Sequence, residues 1–268
     1  MRKEVKNIKV RNSEREIKMI NANVLQFNTA YERLLQQLKT IEPDLILLLE
    51  TDKKWQEAAK SLKEEYPYTI EVPQDNTYGM LFFSKFKLKN EEVNFLVKKD
   101  IPSISCTVVL PDETEIQLWG LHPEPPVPGE SLTSTAKDKE LSIIALKAKE
   151  CKLPVLVMGD LNDVAWSSTT SLFTKTSQLL DVRKGRGFYS TFSAHHWFMR
   201  FPLDYIFCSS DFGFINMKRL EKNGSDHYPI FTHLMYDPSL RNTQDKASPD
   251  QETLKEAKEK SHQKVEQD

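Results

Sequence analysis

The chain has 268 residues with 39% hydrophobic and 28% charged side chains, the make-up of a soluble globular protein with one large domain or two small ones. Its 37 basic and 39 acidic residues give a formal charge of −2, which argues against the concentrated basic face that tight, non-specific binding of long nucleic acid needs. Cys106, Cys151 and Cys208 have no C-x-x-C spacing, which disfavours a common zinc site or a disulfide framework and leaves three small buried hydrophobes.

Residues 1–15 form a basic leader. From Arg2 to Lys18, seven basic residues outnumber Glu4, Glu14 and Glu16. Such a leader is compatible with weak contact to an anionic membrane and equally with a solvated edge segment. No apolar run follows it, so no signal peptide is expected, and no stretch reaches the roughly 18 apolar residues of a membrane span. Residues 16–236 read as one folded domain. Glu16 to Val24 reads as a strand ending at Asn21-Ala22-Asn23, and buried asparagines there need partners.

Asn28 or Thr29 is expected to cap a helix running to about Ile41, closed by Pro43. Leu45 to Leu49 is apolar throughout, the pattern of a strand covered on both faces, and Glu50 appears at its end. A carboxylate there is costly unless paired or bound to a cation. Thr51 also reads as the cap of a helix carrying Trp55, Ala58, Ala59 and Leu62.

From Tyr66 to Leu121 the helical period disappears. Strands are expected over Tyr68 to Val72, Tyr78 to Ser84, Phe86 to Val97, Ser103 to Leu110 and Glu115 to Leu121, with Gly79 at a bulge or a close approach. The last of these runs into His122, beside a proline-rich stretch, Pro123 to Gly129, that cannot be regular structure. A helix is expected from Thr133 to Lys149. Pro154 to Met158 then reads as a buried strand that ends in Gly159-Asp160-Leu161-Asn162. Residues two apart on an extended chain share a side, so Asp160 and Asn162 can serve one pocket; Gly-Asp is also ordinary turn chemistry.

A short helix is expected over Thr170 to Ser177. Arg183, Lys184 and Arg186 form the one compact basic spot of the folded part, able to receive phosphate oxygens or to make a solvated turn. Further strands are expected over Tyr189 to Phe192, Leu203 to Cys208, Phe212 to Leu220 and Pro229 to Met235. Asp204 lies at the start of one, and Asp226-His227 follows Gly224-Ser225. Residues 237–268 are too polar to bury a core and read as a disordered tail or a loose helix between Pro249 and Val265.

The polar residues at strand ends are Asn23, Glu50, His122, Asp160, Asn162, Asp204, Asp226 and His227. Oxygen donors of this kind suit a hard divalent cation, Mg²⁺ or Mn²⁺, and leave carboxylates and imidazoles for proton transfer and phosphate binding. In this order the segments Asn21 to Val24, Pro43 to Glu50, Gly120 to Pro123, Gly159 to Asn162, Leu203 to Ile206 and Gly224 to Pro229 resemble the endonuclease/exonuclease/phosphatase family. They span about Ile17 to Leu234. His122 to Pro126, Ala165-Trp166-Ser167 and Arg183 to Gly187 resemble a bacterial subgroup in which this domain often follows membrane helices, so the chain is compatible with a soluble domain of a membrane-anchored protein.

The resemblance implies an α/β (α+β) fold, a four-layer α-β-β-α sandwich of two mixed sheets with helices outside. It implies Glu50, with Asn23 and Asp226, as metal ligands. It also implies Asp160 as the base, Asn162, His122 and His227 as groups binding phosphate and its developing charge, and Asp204 as the carboxylate that fixes His227. The expected activity is hydrolysis of a phosphodiester in a nucleic acid, a phospholipid head group or a small molecule. A phosphomonoesterase of inositol-phosphate or nucleotide type, and a non-catalytic phosphate-binding module, are the alternatives.

Overall fold

The computed structural model describes residues 3–125, 135–164, 166–187, 189–194 and 201–265. Its strands are β1 (Glu16–Asn23), β2 (Leu45–Leu49), β3 (Tyr68–Val72), β4 (Met80–Ser84), β5 (Lys87–Asn94), β6 (Ser103–Val109), β7 (Glu115–Leu121), β8 (Val155–Asp160), β9 (Leu180–Asp181), β10 (Asp204–Cys208), β11 (Phe212–Arg219) and β12 (Ile230–Tyr236). The helices are α1 (Tyr31–Ile41), α2 (Lys53–Ala58), α3 (Thr135–Glu150), α4 (Ser168–Ser177) and α5 (Gln251–Ser261). Two six-stranded sheets form, in the orders β11-β12-β1-β2-β4-β3 and β5-β6-β7-β8-β10-β9. Both are mixed, because β1–β2 and β7–β8 are parallel pairs inside otherwise antiparallel sheets.

The layers follow from which faces are apolar. Ile17, Met19, Leu47, Phe82, Ile104, Leu156 and Ile206 belong to the cluster between the sheets. Ile20, Ile46, Leu48 and Phe83 face the other way, onto Leu34, Leu38 and Trp55 of α1 and α2. Trp119, Val157 and Phe207 pack on Leu141, Ile144 and Phe173 of α3 and α4. Strands apolar on both faces read as unbroken runs, which is why Leu45–Leu49 shows no alternation.

Each central parallel pair delivers two strand C-termini to one edge. Asn23 pairs with Leu49, so Glu50 follows beside it. Leu121 pairs with Gly159, so His122 and Asp160 follow beside one another. In open α/β sheets the carboxyl ends of parallel strands are where ligands bind.

Local details refine the expectations. The cap of α2 is Asp52, whose side chain accepts from Trp55 N, rather than Thr51. The segment expected as a strand at Tyr189 to Phe192 contributes single bridges, Phe192 to Phe201 and Phe192 to His227. Gly79 is a close approach, since a Cβ there would lie 1.8 Å from the Thr51 carbonyl oxygen. The proline-rich rim lies, from position 126 on, outside the described residues.

The leader and the tail are both docked on the domain. Val5 is fully buried, and Glu4 accepts from Asp181 N and pairs with Lys184. The tail expected as disordered or loosely helical carries α5, which packs on α3 and α4. It is held by polar contacts that composition cannot reveal. Lys260 pairs with the buried Asp138 at 2.8 Å, and Gln244 bonds the Ser210 and Phe212 carbonyls at 2.7 Å each. No helix among the described residues is long and apolar enough to cross a membrane.

One buried group carries a stability prediction. Glu140 on α3 has an oxygen without a hydrogen-bond partner, and burial pushes its carboxyl up to about 8. The unfolded chain ionises from the usual 4.5 upward while the folded chain resists until about 8, so stability falls across that window. At about 1.4 kcal/mol per pH unit the cost is bounded at about 5 kcal/mol. Glu140→Gln is therefore expected to melt higher than wild type at pH 8 and above, with the gap closing below pH 4.5. Equal melting temperatures at pH 8 would refute this.

Candidate active site

The site begins with Asn23. Its side-chain Nδ2 donates to Glu50 Oε1 at 2.7 Å and to Asp160 Oδ2 at 3.2 Å. One amide thereby joins the two sheets at their facing strand ends. Asn23 Oδ1 accepts from Leu25 N at 3.1 Å, which fixes the orientation of the amide. Glu50 and Asn162 both hold left-handed backbones, φ 59° and 48°. For residues with a Cβ this costs about 1–2 kcal/mol each and persists only where surrounding contacts over-determine it. At Gly159, φ +152°, a Cβ would sit 1.9 Å from the Leu121 carbonyl oxygen. Glycine there lets the β7 and β8 ends close up and brings His122 beside Asp160.

His227 lies between two carboxylates. Its Nδ1 is 2.9 Å from Asp204 Oδ2 and 3.5 Å from Asp160 Oδ2. Asp204 faces Asp160 across the β8–β10 pair and also accepts from Asn21 Nδ2 at 3.1 Å. Ser225 Oγ donates to the Asn23 backbone carbonyl at 2.8 Å and accepts from His227 N at 3.0 Å, which ties the Asp226–His227 loop to β1.

Charge follows from this packing. Burial alone would lower the His227 pKa; the charges of Asp160 and Asp204 and the Asp204 hydrogen bond outweigh it and raise it to about 10. The second imidazole, His122, goes the other way. Burial, reinforced by the His227 charge, lowers its pKa against the pull of Asp160. Its Nδ1 is buried without a partner, and the Tyr78 ring lies 5.5 Å away. One imidazole is thus a cation and the other a neutral donor or acceptor. Burial raises the Glu50 pKa, helped by Asp226 and Asp160 and opposed by Asn23 and His227.

Four carboxylates, Glu50, Asp160, Asp204 and Asp226, act on a single imidazolium. The excess of negative charge and the hard oxygen donors of Glu50 and Asp226 fit a divalent cation. The Asn23 oxygen, expected among the ligands, is instead turned to Leu25 N, with Nδ2 on Glu50 and Asp160. Single ligand atoms of Asp160, Asp204 and His227 also lie within 4.8 Å of one another. That trio fits a cation less well, because a protonated Nδ1 between two carboxylates offers no lone pair.

Of the residues expected at the site, Asn23, Glu50, His122, Asp160, Asn162, Asp204, Asp226 and His227 come together at this edge. Asn162 donates its backbone N–H to Asp160 Oδ1 at 2.9 Å and its Nδ2 to the Pro123 carbonyl at 3.0 Å. Arg183 and Arg186, expected to receive phosphate oxygens, are engaged elsewhere. Arg183 is buried, pairs with Asp181, and donates to the Pro202 and Asp204 carbonyls at 2.9 Å each. Arg186 donates to the Val182 and Val5 carbonyls and lies over the Phe214 ring. Their donors brace the β9–β10 edge and the leader. Sequence reasoning assigns no role to Ser225 or Asn21, although both lie inside segments that carry the family resemblance.

The endonuclease/exonuclease/phosphatase family model matches residues 17–227. No curated protein sequence matches the chain. A humanized D. rerio TDP2 is 19% identical with a TM-score of 0.70, covering 82% of this chain and 98% of that one. The human Nocturnin catalytic domain with bound sulfate is 18% identical, TM-score 0.67, covering 82% and 94%. A Bacteroides thetaiotaomicron mannosyl-6-phosphatase is 17% identical, TM-score 0.63, covering 82% and 100%. These likenesses show a shared fold, and the family match takes in every strand-end residue described above. The chain belongs to the endonuclease/exonuclease/phosphatase family.

Proposed function

We propose that the protein is a divalent-metal-dependent hydrolase of phosphodiesters. The observation that carries this is the arrangement of Asp160 between Asn23 and His227, with Glu50 on the same amide. Mg²⁺ or Mn²⁺, held by Glu50 and Asp226 with Asn23 orienting Glu50, would supply positive charge to the phosphate and to the attacking water. Asp160 takes the proton of that water. The Asn162 N–H and the Asn23 amide hold its carboxylate in place.

As phosphorus becomes pentacoordinate its oxygens gain negative charge. The His227 imidazolium meets that charge, and fixed donors favour the transition state over the bound ester. Asp204 orients His227 and keeps it protonated, as a buried carboxylate does for an imidazole in hydrolytic triads. His122 and Asn162 bind the phosphate oxygens. A D. rerio TDP2 with this fold has been seen complexed with a single strand DNA product, and the mannosyl-6-phosphatase suggests a monoester alternative.

A two-substrate assay tests the reading. Bis-p-nitrophenyl phosphate is expected to turn over faster than p-nitrophenyl phosphate, with activity lost in EDTA and restored by Mg²⁺ or Mn²⁺. Faster cleavage of the monoester would make the protein a phosphomonoesterase. No turnover of either, with metal present, would leave a phosphate-binding module.

A further inference from the structure

The left-handed turn at Asn162 has a support that the roles above do not use. Lys137, in the first turn of α3, is only 5% exposed, and its Nζ donates to the Asn162 carbonyl at 3.3 Å. The same ammonium lies 3.3 Å from Asp163 Oδ1. Asp163 Oδ2 accepts from Ser167 Oγ at 2.5 Å and Thr170 Oγ1 at 3.1 Å, and its carbonyl accepts from Tyr205 OH at 3.1 Å. One buried ion pair therefore ties α3, the loop after β8, α4 and β10 together.

A buried ion pair is a costly way to fill space, since well-packed apolar residues do so at no loss of stability or with a gain. What it supplies here is direction. The geometry points to Lys137 as a positioning residue for the base: it holds the Asn162 carbonyl, keeps Asn162 left-handed, and so keeps the Asn162 N–H on Asp160. This rests on Asp160 as the proposed base. Without the ammonium, Asn162 keeps its Nδ2 on the Pro123 carbonyl but loses the hold on its own carbonyl that supports φ 48°, and the donor on Asp160 is less firmly placed.

The test compares Lys137→Met with the double variant Lys137→Met/Asp163→Asn, which removes both charges and keeps an acceptor for Ser167 and Thr170. The expected result, in whichever variant melts near wild type, is a roughly 10- to 100-fold fall in kcat with KM within about twofold, as small misplacements of a catalytic group produce. The Asn162 backbone amide, observed by NMR, should shift as its carboxylate partner is lost. A folded variant with wild-type kcat overturns the inference. So does a fall in kcat with the Asn162 amide unmoved. The amide resonance does not depend on turnover, so it still decides the positioning role if the wild type hydrolyses no ester.

Discussion

Asp160→Asn is expected to lower kcat on a phosphodiester by roughly 10²–10⁴, the usual worth of a positioned general base. The substitution keeps the shape and removes the proton acceptor. It also creates a conflict, because Asp160 accepts from Asn162 N on one oxygen and from Asn23 Nδ2 on the other. A carboxamide can satisfy only one of these donors and must turn its NH₂ toward the other. KM should change little, since the proposed phosphate contacts come from other residues. Wild-type turnover by Asp160→Asn would remove Asp160 from the mechanism.

The same substitution has a signature in stability. The raised pKa of His227 means that the folded protein holds this proton more tightly than the unfolded chain does. That contribution is fully present below 6.5 and is lost as pH rises through about 10. With one of the two carboxylates flanking Nδ1 gone, the imidazolium should titrate at lower pH. Melting curves in EDTA between pH 6 and 10 should therefore decline earlier for Asp160→Asn than for wild type.

Much of the site is legible in the sequence because buried strands announce their ends. Leu45 to Leu49 and Val155 to Met158 are apolar until a carboxylate stops them, and the family order of such stops marks the site. The basic spot at Arg183 to Arg186 misleads for a physical reason. Sequence shows where donors are, and only packing shows that Asp181 and nearby carbonyls have taken them. Lys137 is invisible for the converse reason: a lysine in a helix reads as a solvated face until a loop folds over it. The two-residue β9 is too short to show a period.

Glu50→Gln is expected to separate stability from function. Burial and the charges of Asp226 and Asp160 disfavour ionised Glu50 in the metal-free protein. A neutral glutamine relieves that repulsion and can still accept from Asn23 Nδ2, the bond Glu50 makes at 2.7 Å. In EDTA the variant should therefore melt higher than wild type. The gain should appear as pH rises above the ordinary carboxylate range and vanish below it, because there both side chains are neutral. With Mg²⁺ or Mn²⁺ the order should reverse. A ligand that binds only the folded state stabilises it in proportion to the logarithm of its concentration over Kd, and removing a carboxylate from the proposed ligand set raises Kd. The metal-induced rise in melting temperature should therefore shrink, and activity at fixed metal should fall by roughly 10²-fold or more, the loss of several kcal/mol of transition-state stabilisation. An equal metal-induced rise in both proteins would place the cation away from Glu50.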